Sequence, residues 1–353
     1  MKKEPLKTST LTMAGGSLAL LLVIVVIWAS AVGSVSVPFS ESAKIVFSKL
    51  PFVDTEKLLE GISRPHQTII WDVRLPRVLL AGMVGGGLAA SGVVMQALFR
   101  NPLADPQVLG ISSGAAFGAA IAMACGITFS FMGISSIWMF AFGGAILTML
   151  LVFRVARVAT SHSVTGILLA GIACSSMLTA AITLLMMWNR QKLEQIYLWM
   201  LGSFSSATWI KVGFMAIVLT GALLAFGILG RDLDLLSFGD QEAQSMGVSV
   251  KRTRTLSVLA TSLLVAAAVS VSGIIGFVSL IIPHIMRLLA GPKNRRLLPL
   301  AFFGGAIFMI LCDMISRTAV PPTEIAVGAI TQVTGAPFFL YLLWKERRKG
   351  EQS

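Results

Sequence analysis

The chain has 353 residues, 56% of them hydrophobic and 12% charged, where an ordinary globular protein carries roughly 25% charged residues. Apolar runs recur from end to end and the longest polar connection is residues 34–73, so there is no room for a separate soluble domain and the chain belongs in a bilayer. The net charge of +12 sits in short basic clusters between apolar runs, which is topogenic charge rather than a nucleic-acid surface.

Residues 1–11 form a short basic tail, expected in the cytoplasm. The apolar core behind it holds Ala29-Ser30-Ala31, an imitation of a signal-peptidase site, but its length is that of a membrane span rather than a signal sequence. Helix 1 ends there and residues 34–73 follow as an outer loop, with a weakly amphipathic segment near 43–50.

Helix 2 is expected at 77–99 and helix 3 at 107–127, joined by the elbow FRNPLADP. Gly82, Gly85, Gly86, Gly87 and Gly92 crowd helix 2. Each would cost a solvated helix about 1 kcal/mol against alanine, whereas in lipid small residues let helices pack closely. The elbow's prolines bracket a tight turn, and Asn101 and Asp105 suit its caps.

Helices 4 and 5 are expected at 135–156 and 165–188. Tyr197, Trp199 and Trp209 mark the next connection as a headgroup-level stretch, and helix 6 spans 209–229. The one sizeable internal polar stretch, residues 230–255, reads as short helices on the membrane surface, with Asp240 and Glu242 favouring a helix N-terminus. Helix 7 ends near 273, and helices 8, 9 and 10 fall at 277–290, 297–317 and 325–344. The expectation is an all-α polytopic protein: one ten-helix domain, residues 12–345, with both termini cytoplasmic and a second tail at 346–353. Of 28 basic residues, 18 fall on the predicted inside and four in outside connections beyond the long first loop, as the positive-inside rule requires.

No GxxxxGK[ST] occurs, so the chain carries no phosphate-binding loop of its own. Neither a Ser-His-Asp set nor HExxH is present, and the three cysteines lie in apolar runs without ligand-like spacing. These patterns name no metal, no cofactor and no catalytic residue, and argue against an intramembrane enzyme. Asp313 is the one deeply placed acid, with Arg317 four residues on. The two form either a packing ion pair or a proton relay, and the latter would suit a stand-alone proton-coupled secondary transporter.

RLPR at 74–77, GGGLAASGVVMQALFRNPLADPQVLGISSGAAFGA, LSFGDQEAQSMGV, SGIIGFVSLIIPHIMRLLAGPKNRRLLPL and EIAVGAITQVTGAPFFLYLL together resemble the permease subunits of ABC importers for iron-siderophores, haem and cobalamin. The likeness runs in one order from Arg74 onward. It implies a second permease subunit, as a homo- or heterodimer, two cytoplasmic ATPase subunits and an extracytoplasmic substrate-binding protein, with membrane lipid around them. It assigns ATPase coupling to Phe238, Gly239, Glu242, Ala243 and Gly247. Docking of the binding protein falls to Arg74, Arg77 and Arg317, and the gate to Val164 and Thr165. Members carry a Thr-Ser pair at the gate where this chain has Val-Thr, and ELPVG where this chain has Ala326 in place of proline. The cargo implied is a ferric siderophore, with haem and cobalamin as alternatives.

Overall fold

A computed structural model describes residues 8–33, 35–49, 54–131, 133–160 and 164–350. α1 is Thr8–Ala31. The connection after it contains α2 (Phe39–Phe47), α3 (Thr55–Leu59) and α4 (Arg64–Thr68), and α4 runs through a π-helical stretch, Ile69–Arg74, into α5 (Leu75–Phe99). The elbow's 3-10 turn, Pro106–Leu109, leads to α6 (Ile111–Ala124). A small antiparallel hairpin, β1 (Ser130–Phe131) and β2 (Ile134–Ser135), precedes α7 (Ser136–Thr160). Then come α8 (Val164–Trp188), α9 (Leu193–Met200), α10 (Trp209–Leu236), α11 (Asp240–Ser245) and α12 (Val250–Ser272). The chain closes with α13 (Val278–Ala290), α14 (Asn294–Thr318) and α15 (Val327–Gly350).

Each of the ten expected membrane helices has a counterpart here. Among the described residues, seven are long and apolar enough to cross a bilayer. α6 and α13, with 14 and 13 residues, fall short of the ~20 that a full crossing takes. The cause is local: Gly110 at φ +80° and Phe277 at φ +68° break the helix on the N-terminal side of each. Residues 1–7 and 351–353 of the expected tails lie outside the described residues.

Two boundaries differ from expectation. The outer loop is largely folded, and Arg64–Phe99 is one 36-residue helical run. Ile45, Ile62 and Ile70 form a small core beneath α2 and α4, and His66 Nδ1 lies 2.7 Å from Glu41 Oε2. The polar stretch 230–255 is shorter than it reads, because α10 continues to Leu236 and α12 already begins at Val250. Charged residues end an apolar run but not a helix, which continues into water on good helix formers.

α5 is the hub. Of the most apolar 18-residue window of the Arg64–Phe99 run, 89% is buried, against 22–33% for α1, α7, α8 and α10. α14, α10, α12 and α13 pack around it, while α6 and α7 pair beside them and α1 lies against α14. Small residues make this possible. A Cβ on Gly85 would meet the Gly305 carbonyl oxygen at 2.3 Å, and one on Gly92 would meet that of Ser279 at 1.9 Å. The peripheral helices present Leu147, Ile217, Leu224 and Ile228 outward, as lipid-facing surfaces do.

Candidate functional site

The residues to which the resemblance assigns ATPase coupling gather on the short segment between α10 and α12. Gly239 adopts φ +134° and Gly247 φ +85°, backbone conformations that L-residues rarely take. These two glycines turn the chain into and out of α11. Ala243 is fully buried beneath it, whereas Phe238 and Met246 are exposed apolar side chains at its two ends. The Glu242 carboxylate folds back over Gly239, so that a Cβ there would meet Glu242 Oε2 at 1.9 Å. Asp240, which the sequence reading singled out only as a helix-start acid, is the anchor. Its Oδ1 accepts from Arg254 Nη2 at 2.8 Å and from Arg100 Nη2 at 3.2 Å. Arg100 is the left-handed C-cap of α5, at φ 50°, so one carboxylate ties the coupling segment to the hub helix.

The elbow is held as firmly. Asn101 Oδ1 accepts from the Leu103 N–H at 2.8 Å, and Asp105 Oδ1 from the Gln107 N–H at 2.9 Å and the Ser279 hydroxyl at 3.1 Å. Burial pushes the Asp105 carboxyl above the usual carboxylate range, against the lowering effect of its two donors. Gln96, the one long uncharged polar side chain of α5, faces α13: it donates to the Ser279 carbonyl at 3.4 Å and accepts from Arg287 at 3.0 Å.

The three arginines expected to dock a partner converge at the opposite end, but all are engaged inside the chain. Arg77 Nε donates to both oxygens of the fully buried Asp313, at 2.9 and 3.2 Å. Its two terminal nitrogens grip Glu324 bidentately at 2.8 and 3.0 Å. Arg317 Nε lies 3.5 Å from Asp313 Oδ2, and its guanidinium also donates to the carbonyls of Val32 and Ala29. Arg74 donates to the carbonyls of Ser30, Ala31 and Val35. The reason is the end of α1. A helix leaves its last carbonyls without partners, and here two guanidiniums supply the donors and oppose the negative end of the helix dipole. Asp313 thus sits in a packing ion cluster between two arginines.

Beside Glu324 opens a cavity of about 460 Å³. Ser203, Ser205, Ser206, Ser270 and Ser272 line it with Trp138 and Trp199, and among the described residues Lys211 and Glu324 are its charged ones. Serine hydroxyls and indole edges offer many weak contacts and no strong one. The gate positions Val164 and Thr165 begin α8; their side chains lie outside the described ones.

Residues 21–345 match the FecCD transport family. The chain belongs to that family. It is 41% identical to the hemin transport system permease protein HmuU of Yersinia pestis over 288 residues, 79% of this chain and 84% of that one. It is 36% identical to the molybdate import system permease protein MolB of Haemophilus influenzae over 338 residues, 94% and 96% of the two chains. A solved inward-facing structure of a protein described as a metal-chelate type ABC transporter superposes with a TM-score of 0.79 at 34% identity, covering 94% of this chain and 98% of that one. This FecCD chain is therefore an ABC importer permease, a multi-pass protein of the plasma (inner) membrane and a transport subunit rather than an enzyme.

Proposed function

We propose that the chain is the permease of a ferric-siderophore importer. It acts as one of a pair, homo- or heterodimeric, around a central pathway, with two ATPase subunits on the cytoplasmic side and an extracytoplasmic binding protein on the other. Both termini are then cytoplasmic, and residues 12–345 form the single permease domain. The observation that carries this reading is the coupling segment, where Phe238 and Met246 stand exposed on a short helix tied by Asp240 to the hub. A groove on an ATPase that accepts those two side chains, with Glu242 between them, would move α5 and α12 together. Gly239, Ala243 and Gly247 give the segment its shape, and Val164 and Thr165 are assigned to the cytoplasmic gate. The solved metal-chelate relative supports a chelated metal as cargo, and the serine-lined cavity suits a bulky chelate that must be released rather than held.

Docking belongs to the cluster of Arg74, Arg77 and Arg317, in a revised form. A carboxylate arriving on Arg77 competes with Glu324 for the same guanidinium, so Glu324→Gln tightens the complex with the binding protein and Arg77→Glu weakens it. Unchanged affinity in both variants refutes the assignment. For the whole reading, the chain is reconstituted with its ATPase and binding protein in vesicles offered ferric siderophore, haemin, cobalamin or molybdate. ATP-dependent uptake of the siderophore alone is expected. Preference for another cargo overturns the siderophore assignment, and uptake without ATP or ATPase overturns the coupling.

A further inference from the structure

The end of α10 that carries Arg231 and the end of α14 that carries Asn294 enclose a feature outside the sites described above. Leu223, Phe226 and Gly227 on α10 face Leu298, Pro299 and Phe302 on α14 across an apolar groove of about 370 Å³. The groove exists because α10 carries no side chain at two successive turns. A Cβ at Gly227 would meet nothing within 4 Å, and one at Gly230 would touch only the stem of Arg295, at 3.7 Å. The rows 223, 227, 230 and 295, 298, 302 follow helical spacing, so the groove runs along both helices for roughly 10 Å. Along α10 its outer flank is Leu224 and Ile228, 64% and 80% exposed, which places the groove on the lipid side of the subunit.

At its polar end the groove runs into a second cavity, of about 290 Å³, which shares Arg295 with it and adds Arg231, Lys293 and Arg296. Asp234 is the one acid there, and its Oδ1 is occupied by the Asn294 N–H at 2.6 Å. Among the described residues Arg231, Lys293 and Arg295 form no salt bridge, and Arg231, Lys293 and Arg295 are exposed. Both helices end at this level, α10 at Leu236 and α14 at Asn294, so the cations stand where a bilayer's headgroups stand and the groove where its acyl chains begin.

We infer that this groove binds one anionic phospholipid, with an acyl chain along Gly227 and Phe302 and its phosphate between Arg231, Lys293 and Arg295. Three cations without a salt bridge, against one engaged acid, select a negative headgroup, and an apolar slot continuous with them selects a lipid over a free phosphate. Basic pockets between membrane helices hold anionic headgroups on this physical ground, at about a fivefold preference for each cation near the surface.

The test uses the purified full chain, exchanged into detergent with phosphatidylglycerol and phosphatidylcholine of matched acyl chains and read by native mass spectrometry. Wild type is expected to retain phosphatidylglycerol preferentially, one molecule per chain. Lys293→Gln with Arg295→Gln should cut that preference about 25-fold, leaving phosphatidylcholine unchanged. Gly227→Leu, placed where the space is open, should expel both lipids from the groove. Equal retention of the two lipids by wild type, or an unchanged preference in the charge variant, overturns the inference. So does loss of phosphatidylglycerol to millimolar inorganic phosphate, which would mark an anion site without an acyl slot, or a cross-link from Gly227→Cys to a second copy of the chain. Should the charge variant fail to fold, raising salt on wild type serves instead: the phosphatidylglycerol preference must fall, and an unchanged one refutes the proposal.

Discussion

Gly92→Ala tests whether the hub helix is packed as tightly as its glycines imply. The added Cβ would lie 1.9 Å from the Ser279 carbonyl oxygen and 2.7 Å from its carbon, whereas ordinary contact begins at 3.4 Å. The obstacle is backbone at the start of α13, so no rotamer change relieves it, and α13 must retreat by about 1.5 Å from a close-packed neighbour. Overpacking of this kind costs about 1–3 kcal/mol. The retreat also stretches the bonds that Gln96 and Asp105 make to Ser279, each contributing about 0.5–1.5 kcal/mol. Against this, alanine gains about 1 kcal/mol of helix propensity, for a net loss of about 1–5 kcal/mol. Gly143→Ala is the control, because nothing lies within 4 Å of its Cβ, and it should hold or gain stability. Thermal unfolding in detergent, followed by size-exclusion chromatography, should show a clear drop in midpoint for Gly92→Ala alone. Equal midpoints for the two variants would refute the close-packing argument.

Arg77→Ala leaves Asp313 buried with Arg317 alone and frees Glu324, and removing one partner of a buried pair costs about 3–5 kcal/mol. The same unfolding assay should register it as one of the most damaging substitutions in the chain. Phe238→Ala removes an exposed aromatic anchor, for which truncation typically costs about 2 kcal/mol or more. ATPase binding should weaken by about 30-fold or more with the unfolding midpoint unchanged, and a co-purification titration reads it. Asp105 gives a pH prediction. Its folded carboxyl titrates above the usual range because it is buried, so the folded state holds the proton more tightly than the unfolded state. Stability therefore falls as pH rises from the ordinary carboxylate value through the raised one. Asp105→Asn keeps an oxygen for both donors and should flatten that fall, and parallel pH profiles of the two proteins would refute it.

Much of this architecture is legible in the sequence because membranes impose local rules. The glycines of 82–92 announced a helix packed against neighbours, and the short elbow announced that α5 and α6 are fixed to one another. The helix ends were less legible. Hydropathy falls at Arg231 and rises again only after Arg254, yet the backbone is helical through most of that interval. The role of the arginines was the least legible part. Arg74, Arg77 and Arg317 were visible as charges at the outer end, and the i,i+4 spacing showed Asp313 beside Arg317, but their other partners are main-chain carbonyls at and just beyond the end of α1 and a carboxylate on the loop before α15. No periodicity encodes such pairings. The signal available was a negative one: α1 ends in small residues without a polar cap of its own, so its carbonyls had to find donors elsewhere.

That dependence bears on how the chain assembles. The carbonyl of Val32 takes its donor from Arg317, 285 residues later. During synthesis the first helix enters the bilayer with its outer end unfinished, and Arg74 can occupy only part of it. α14 completes it. A chain truncated before α14 therefore lacks both a packing partner and the donors from Arg317 that finish its first helix. The guanidinium of Arg317 thereby joins the first helix made to nearly the last.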